Sequence, residues 1–158
     1  MEDGYDDWNG CSKYTIADDQ TIGCWYNNGT FIGDNKNELD LEDDAAYMKW
    51  GEGWRMPSVA QIEELHASCT WTYTTENKVF GQKAVGPNGS SIFFPAAGFY
   101  NGSSLRNSRS YGYYRSRSLY MKYTSKSETT INLYFSSDLV YMMGTHRYLG
   151  YPVRPVRQ

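Results

Sequence analysis

Tyr111–Arg157 reads YGYYRSRSLYMKYTSKSETTINLYFSSDLVYMMGTHRYLGYPVRPVR. It holds nine of the fifteen tyrosines, interleaved with Ser, Thr, Arg, Lys, Met and one His, and no tryptophan follows Trp71. Its alternation predicts short strands at Tyr113–Ser118, Ile131–Phe135, Leu139–Met142 and Pro152–Val156, with the long polar run Lys122–Thr130 between the first two. Tyrosine offers a broad, fairly rigid surface with a polar tip, and Ser, Thr and Gly add adaptable hydrogen bonding, so the composition is that of a binding surface. It equally fits an ordinary sheet covered by tyrosine rings. Composition alone leaves both readings open.

Upstream of this stretch the period is also two. CTWTYTT from Cys69 alternates, Lys78–Val85 reads as its partner, and Asn88-Gly89 suits a type I′ hairpin leading to Phe93 and Phe94. Ser103–Ser110 reads as a polar loop. Before Cys69 the period is helical. In DLEDDAAYMKWG, Asp40 is the expected cap, Leu41, Ala45, Met48 and Trp50 the inner face, and Gly51 the stop. In MPSVAQIEELHASC, Ser58 and Gln61 form a capping box ahead of Ile62, Leu65 and His66. His66 reads as an edge residue of that helix. Residues 1–35 are rich in Asp, Asn and Gly and predict short strands and turns, with a break at Asn27-Asn28-Gly29. The expected class is therefore α+β, two early helices followed by a mostly antiparallel sheet.

A chain of 158 residues fits one domain spanning residues 1–158. No apolar run approaches the roughly 20 residues of a membrane span, so no membrane insertion is expected. Met1 leads into the acidic EDGYDDWNG, which lacks the pattern of a secretory leader. Net charge is −3, but residues 1–64 carry 15 acidic and 4 basic side chains, against 3 and 11 in residues 65–158. The basic half would attract anionic surfaces, or the halves neutralise each other within one fold. The Arg and Lys residues are scattered and no nucleic-acid module is matched, so nucleic acid is not an expected partner. Cys11, Cys24 and Cys69 lack metal-ligand spacing. Cys69 reads as a buried small side chain, and Cys11 with Cys24 as the pair that export could oxidise.

The segments DDAAYMKWGEGWRMPSVAQIEEL, CTWTYTTENKVFGQKAVGPNGSSIFFPAAGFYNG, SYGYYRSRS and YLGYPVRPV resemble, in order, the FISUMP family, or major paralogous domain. The similarity covers about residues 40–157. It implies a C-type-lectin-like fold of the formylglycine-generating-enzyme-like subtype. Some members are variable proteins of diversity-generating retroelements, with a YYWSSS motif, a φ-x-F-x-S-x-x-V ladder and a closing G-x-x-VRPVR. On that pattern Leu133, Phe135, Ser137, Val140, Arg147, Gly150, Val153, Arg154, Pro155 and Val156 fall on scaffold positions. Arg154, in the terminal strand, is then expected to pair with a carboxylate or carbonyls.

Between the scaffold positions stand Tyr134, Ser136, Leu139, Tyr141, Met143, Gly144, Thr145, His146, Tyr148, Leu149 and Tyr151, types reachable from adenine replacement in Asn codons, Met143 excepted. Arg115 and Arg117 stand where the pattern has Trp and Ser. The resemblance thus implies a variable region at 111–151. Its ligand contacts would be Tyr111, Tyr114, Arg115, Arg117, Tyr120, Tyr134, Ser136, Leu139, Tyr141, Met143, Thr145, His146, Tyr148, Leu149 and Tyr151.

Three function classes follow. An enzyme like the formylglycine-generating relatives needs late cysteines, and none follows Cys69; Glu128 and Asp138 are the only carboxylates in the last third. A His146, Ser and Asp138 triad has no GxSxG-like frame around it. A calcium-dependent lectin needs converging oxygen ligands, and EPN, QPD and WND motifs are absent. No metal and no cofactor are therefore expected. The expectation is a non-enzymatic display domain outside the cell, at a bacterial surface or phage tip, that binds a protein or glycan ligand. The alternative is a non-diversified adhesin domain of the same fold.

Overall fold

The computed structural model describes residues 14, 26–119 and 129–158. Cys11, Cys24, Tyr120 and most of the Lys122–Thr130 run lie outside the described residues. The chain is α+β with mostly antiparallel sheets. A hairpin of β1 (Tyr26–Asn27) and β2 (Thr30–Phe31) comes first. It turns through Asn28 and Gly29, both with positive φ, as the Asn27-Asn28-Gly29 break predicts. A short 3-10 turn, Leu41–Asp43, leads into α1 (Ala45–Trp50).

The cap of α1 is Asp44, not Asp40. One Asp44 oxygen accepts from Ala46 N and Tyr47 N at 3.0 and 3.1 Å, and Met56 N donates to both oxygens at 3.0 Å. Arg55 Nε donates to the second oxygen at 2.7 Å. A carboxylate with no exposed surface is tolerable only with this degree of pairing. Burial pushes its pKa up, but the Arg55 bond and the Tyr47 and Met56 amides outweigh it and hold the group below its ordinary value. Asp44 thus ties the α1 start to β3 (Trp54–Arg55). The expected inner face of α1 is also corrected. Leu41, Met48 and Trp50 are exposed, and it is Ala46 that is buried. A six-residue helix is too short for periodicity to select a face.

α2 (Val59–Ser68) has the capping box anticipated for it, with Ser58 Oγ accepting from Gln61 N and Gln61 Oε1 from Ser58 N. Ile62 points into the core. His66 sits at the edge, its Nε2 2.9 Å from Val140 O. β4 (Thr70–Glu76), β5 (Val79–Val85) and β6 (Ser91–Pro95) form one antiparallel sheet. The two-residue turn with positive φ at both positions lies at Asn77 and Lys78, between the paired Glu76 and Val79. At Asn88-Gly89 only Gly89 has positive φ. Gly89 N donates to Gly86 O and Gly86 N to Ser90 O. Pro87 at the second turn position, with its fixed φ, selects this type I turn with a left-handed glycine over type I′.

β7 (Phe99–Asn101) and β8 (Ser104–Arg106) form a hairpin whose second strand lies inside Ser103–Ser110, the segment read as a polar loop. β9 (Gly112–Leu119), β10 (Thr129–Phe135) and β11 (Val140–His146) make the second three-stranded sheet, in the order β11, β10, β9. The terminal segment contributes β12 (Val156–Arg157), paired with β3, in place of the longer strand expected from Pro152. The core lies where the two larger sheets and α2 meet: Ile62, Ala84, Phe94, Ala96, Tyr114, Leu133 and Phe135, with Leu65, Cys69 and Trp71 packed against them. Gly112, opposite Phe135 in the ladder, leaves the space that this ring fills.

Candidate ligand-binding face

The register across β9, β10 and β11 sorts the tyrosine-rich stretch into two faces. Tyr114, Leu133 and Met142 form one cross-strand row, and Tyr113, Tyr134 and Tyr141 form the next. Because side chains alternate, the first row enters the core and the second stands on the opposite face. Leu133 is 1% exposed and Tyr141 42%. On the outer face Tyr134 is the hub. Its ring lies 4.8 Å from Tyr141, 5.2 Å from Tyr113 and 5.9 Å from Tyr111. Burial, and then the neighbouring Tyr113, Tyr141 and Tyr111 phenols, push the Tyr134 pKa up. Tyr113 in turn meets Phe99 and Tyr151. The result is a continuous string of rings from the exposed Tyr141 inward to Tyr151.

Arg115 closes the inner end. Its Nη1 donates to Arg147 O at 2.6 Å, and its Nη2 to Leu149 O at 2.6 Å and His146 O at 3.3 Å. Its guanidinium carbon lies 5.0 Å from the Tyr151 ring centroid. Burial lowers its pKa, but guanidinium remains charged. Arg115 Nε and His146 Nδ1 are buried without a hydrogen-bond partner, so this corner retains open polar capacity. A fork reaching three carbonyls of one turn fixes that turn rather than reaching for a ligand. Arg117 is likewise engaged within the fold, with Glu38 at 3.0 Å and Met56 O at 2.9 Å. Burial raises the Glu38 pKa, yet the Arg117 and Ser118 hydrogen bonds prevail and hold it below its ordinary value.

The anticipated contact residues therefore divide. Tyr134, Tyr141 and Tyr111 come together on the outer face, and Leu139 at the hairpin tip and Tyr148 in the following turn are exposed. Ser136 Oγ accepts from Asp138 N in the tip itself. His146 stacks on Tyr148 at 5.3 Å, Met143 and Leu149 are half-buried, and Thr145 Oγ1 accepts from the buried Asn132 at 2.7 Å. Tyr151 is packed between Phe99, Tyr113 and Arg115. Tyr114 is a correction. It is buried, donates to Pro95 O at 2.8 Å and meets Phe94 edge-on, with burial pushing its phenol pKa well up. Arg154 is another. It is exposed and lies 6.0 Å over the Phe94 ring, a cation–π contact in place of the expected ion pair.

Sequence reasoning missed Tyr113, Phe99 and Asn132. The first shares its parity with Arg115, a signal within reach once the register is known. The second lies in the short β7 strand that was read past. The third is fully buried, donating to Thr130 O and Thr145 Oγ1. Elsewhere among the described residues, carboxylate oxygens of Asp40, Glu42 and Asp43 lie within 4.8 Å of one another. Lys36 bridges Asp40 at 2.7 Å, and the Tyr14 hydroxyl donates to Asp43, so these acids already have partners. A polar hollow of about 510 Å³ lined by Asn35–Leu41 and Arg55 adjoins them. Among the described residues no helix is long and apolar enough to cross a membrane.

Fold and face together define an α+β domain whose second sheet carries an aromatic outer surface. The chain belongs to a family described as a domain of unknown function, DUF8237, which matches residues 53–156. No curated protein and no solved structure matches it.

Proposed function

We propose that this is a non-enzymatic display domain of C-type-lectin-like fold, similar to the FISUMP proteins. In this reading the outer face of the β9–β11 sheet binds a protein or glycan ligand outside the cell, at a bacterial surface or phage tip. The observation that carries it is the string of rings ending on Tyr141, which remains 42% exposed while every neighbouring position on the opposite face is core. Aromatic anchors on a rigid sheet, ringed by Ser136, Leu139 and Tyr148, supply contact area at low entropic cost.

One observation bears on diversification. Thr145, Tyr151 and Arg115 each hold internal contacts, so substitution there costs stability. That favours a face with at most a small variable set around the exposed Leu139, Tyr141 and Tyr148, with Tyr134 and Ser136 beside them. A fixed adhesin surface is the second reading. Two libraries separate these ideas, one randomised at those five positions and one at Leu133, Phe135 and Val140. Folded yield and binding to glycan arrays and intact bacterial surfaces are read for both. The proposal requires the first library to stay folded while its binding changes. It fails if the first library unfolds like the second, or if binding is indifferent to the first set.

A further inference from the structure

The two edges of the β9–β11 sheet are unequal. On the β9 side, Arg115 N donates to Pro152 O, Arg117 N to Pro57 O and Leu119 N to Asn37 O, so chain segments cover that edge. On the β11 side, the Ser136 N to Leu139 O bond sets the phase of the hairpin. In an antiparallel ladder bonded and non-bonded pairs alternate, so Tyr141, Met143 and Thr145 direct their backbone groups at β10. Val140, Met142, Gly144 and His146 direct theirs outward. Val140 O is taken by His66, and His146 O by Arg115 and Leu149 N. Among the described residues the outward amides and carbonyls of Met142 and Gly144 have no partner.

Exposed edges are normally blunted by lysine, proline or a bulge. β11 has none of these: Val140–His146 contains no Asp, Glu, Lys, Arg or Pro, and its seven pairs with β10 run without a register shift. Charge does appear at its two ends, Asp138 before it and, after it, Arg147, whose Nη1 also donates to Tyr14 O at 3.4 Å. Two such strands laid antiparallel bring the acidic end of one beside the basic end of the other. A parallel arrangement would set like ends together.

We infer that the β11 edge joins a second copy of this chain by antiparallel strand pairing across a twofold axis, Met142 of one copy opposite Gly144 of the other. This register uses the open amides and carbonyls of Met142 and Gly144, and it sets His146 of one copy opposite Val140 of the other, so the second strand displaces His66 from Val140 O. Gly144 brings no side chain between the backbones, and an isologous closed pair removes both edges. Directly opposed residues in an antiparallel pair share a face. Tyr141 and Met143 of both copies would then line one continuous surface. The inference does not depend on what the aromatic face binds.

Sedimentation equilibrium of the purified chain tests it. A concentration-dependent monomer–dimer equilibrium is expected. Gly144→Pro deletes only an outward amide, at a residue without positive φ, and should weaken the dimer about tenfold or more, the scale of losing ladder bonds with good geometry. Asp138→Lys, in the exposed turn, places like charges at the strand ends and should weaken it as well, with partial recovery at high salt. Circular dichroism of Asp138→Lys confirms that the monomer is folded. Should Gly144→Pro fail to fold, the charge variant still decides. A chain that stays monomeric at every concentration overturns the inference. So does a dimer whose affinity Asp138→Lys leaves unchanged, or protection of the Met142 and Gly144 amides by an unrelated extended peptide bound to a monomer.

Discussion

Tyr141→Ala and Leu133→Ala probe neighbouring rows of one sheet and should differ several-fold in cost. Leu133 is 1% exposed inside the cluster of Phe94, Tyr114 and Phe135, so truncation removes its burial and leaves a cavity, about 2–5 kcal/mol. Tyr141 is 42% exposed, and among the described residues its one ring contact is with Tyr134 at 4.8 Å. Aromatic pairs contribute about 0.5–1.5 kcal/mol beyond area, so roughly 1 kcal/mol is lost there. For a domain of this size about 1 kcal/mol moves the melting temperature by roughly 2–4 °C. Leu133→Ala should then melt about 4–20 °C below the parent, and Tyr141→Ala only about 2–4 °C below. Tyr134→Ala, losing three ring contacts, should fall between them. Thermal unfolding followed by circular dichroism, with urea titration to check that the m-value is unchanged, measures all three. If Tyr141→Ala costs as much as Leu133→Ala, the outer rings are core and the two-faced reading is refuted.

Gly112→Ala would place a Cβ 2.0 Å from Phe135 Cζ, an overlap that no small shift relieves. It should destabilise by about 1–3 kcal/mol or more, and Phe135→Leu in the same chain should recover part of that loss. Asp44→Asn tests the buried carboxylate through pH. The folded pKa of Asp44 lies below the ordinary aspartate value of 3.8, so its contribution is complete above that value and fades as pH falls below it, when the unfolded chain takes up the proton first. The parent should lose stability more steeply than Asp44→Asn below about pH 4, and parallel unfolding curves for the two would count against this account. Arg115→Lys keeps the charge but loses the fork to three carbonyls, so amide exchange at residues 147–150 should quicken while β4–β6 stays protected. Arg154→Ala should cost about 1 kcal/mol or less, the scale of an exposed cation–π contact, in a melting measurement.

Elements whose local chemistry is self-sufficient were legible in the sequence. The Ser58–Gln61 capping box stands where its spacing put it, because both partners lie within one turn. Strands β9 and β10 follow the alternation at 113–118 and 131–135, since one face of each had to be apolar, while β11, expected at 139–142, starts at Val140 and runs on to His146. Leu133 and Phe135 could be assigned to the core on parity alone. What failed were choices decided at a distance. Asp40 and Asp44 are both good caps on local grounds, and Arg55, arriving eleven residues later, selects Asp44. Asn88-Gly89 carries the composition of a type I′ turn, but Pro87 beside it selects type I, and the pair with positive φ falls at Asn77 and Lys78.

The candidate site was legible as a region and not as a set of roles. Tyrosine looks the same in the chain whether it ends as Tyr114, bonded to Pro95 O in the core, or as Tyr141 on the outer face. Only the ladder register separates them, and parity within β9 places Tyr113, not Tyr114, beside Tyr134. Arg115 carries the sharper lesson. An arginine among tyrosines reads as a ligand contact, yet a guanidinium that can reach three carbonyls of a nearby turn gains more by doing so than by waiting in solvent. Such a residue shapes the binding face from beneath it. The positions best placed to meet a ligand are then those most exposed and least bonded, Tyr141 and Leu139 foremost, and it is at these that any change of specificity should be sought.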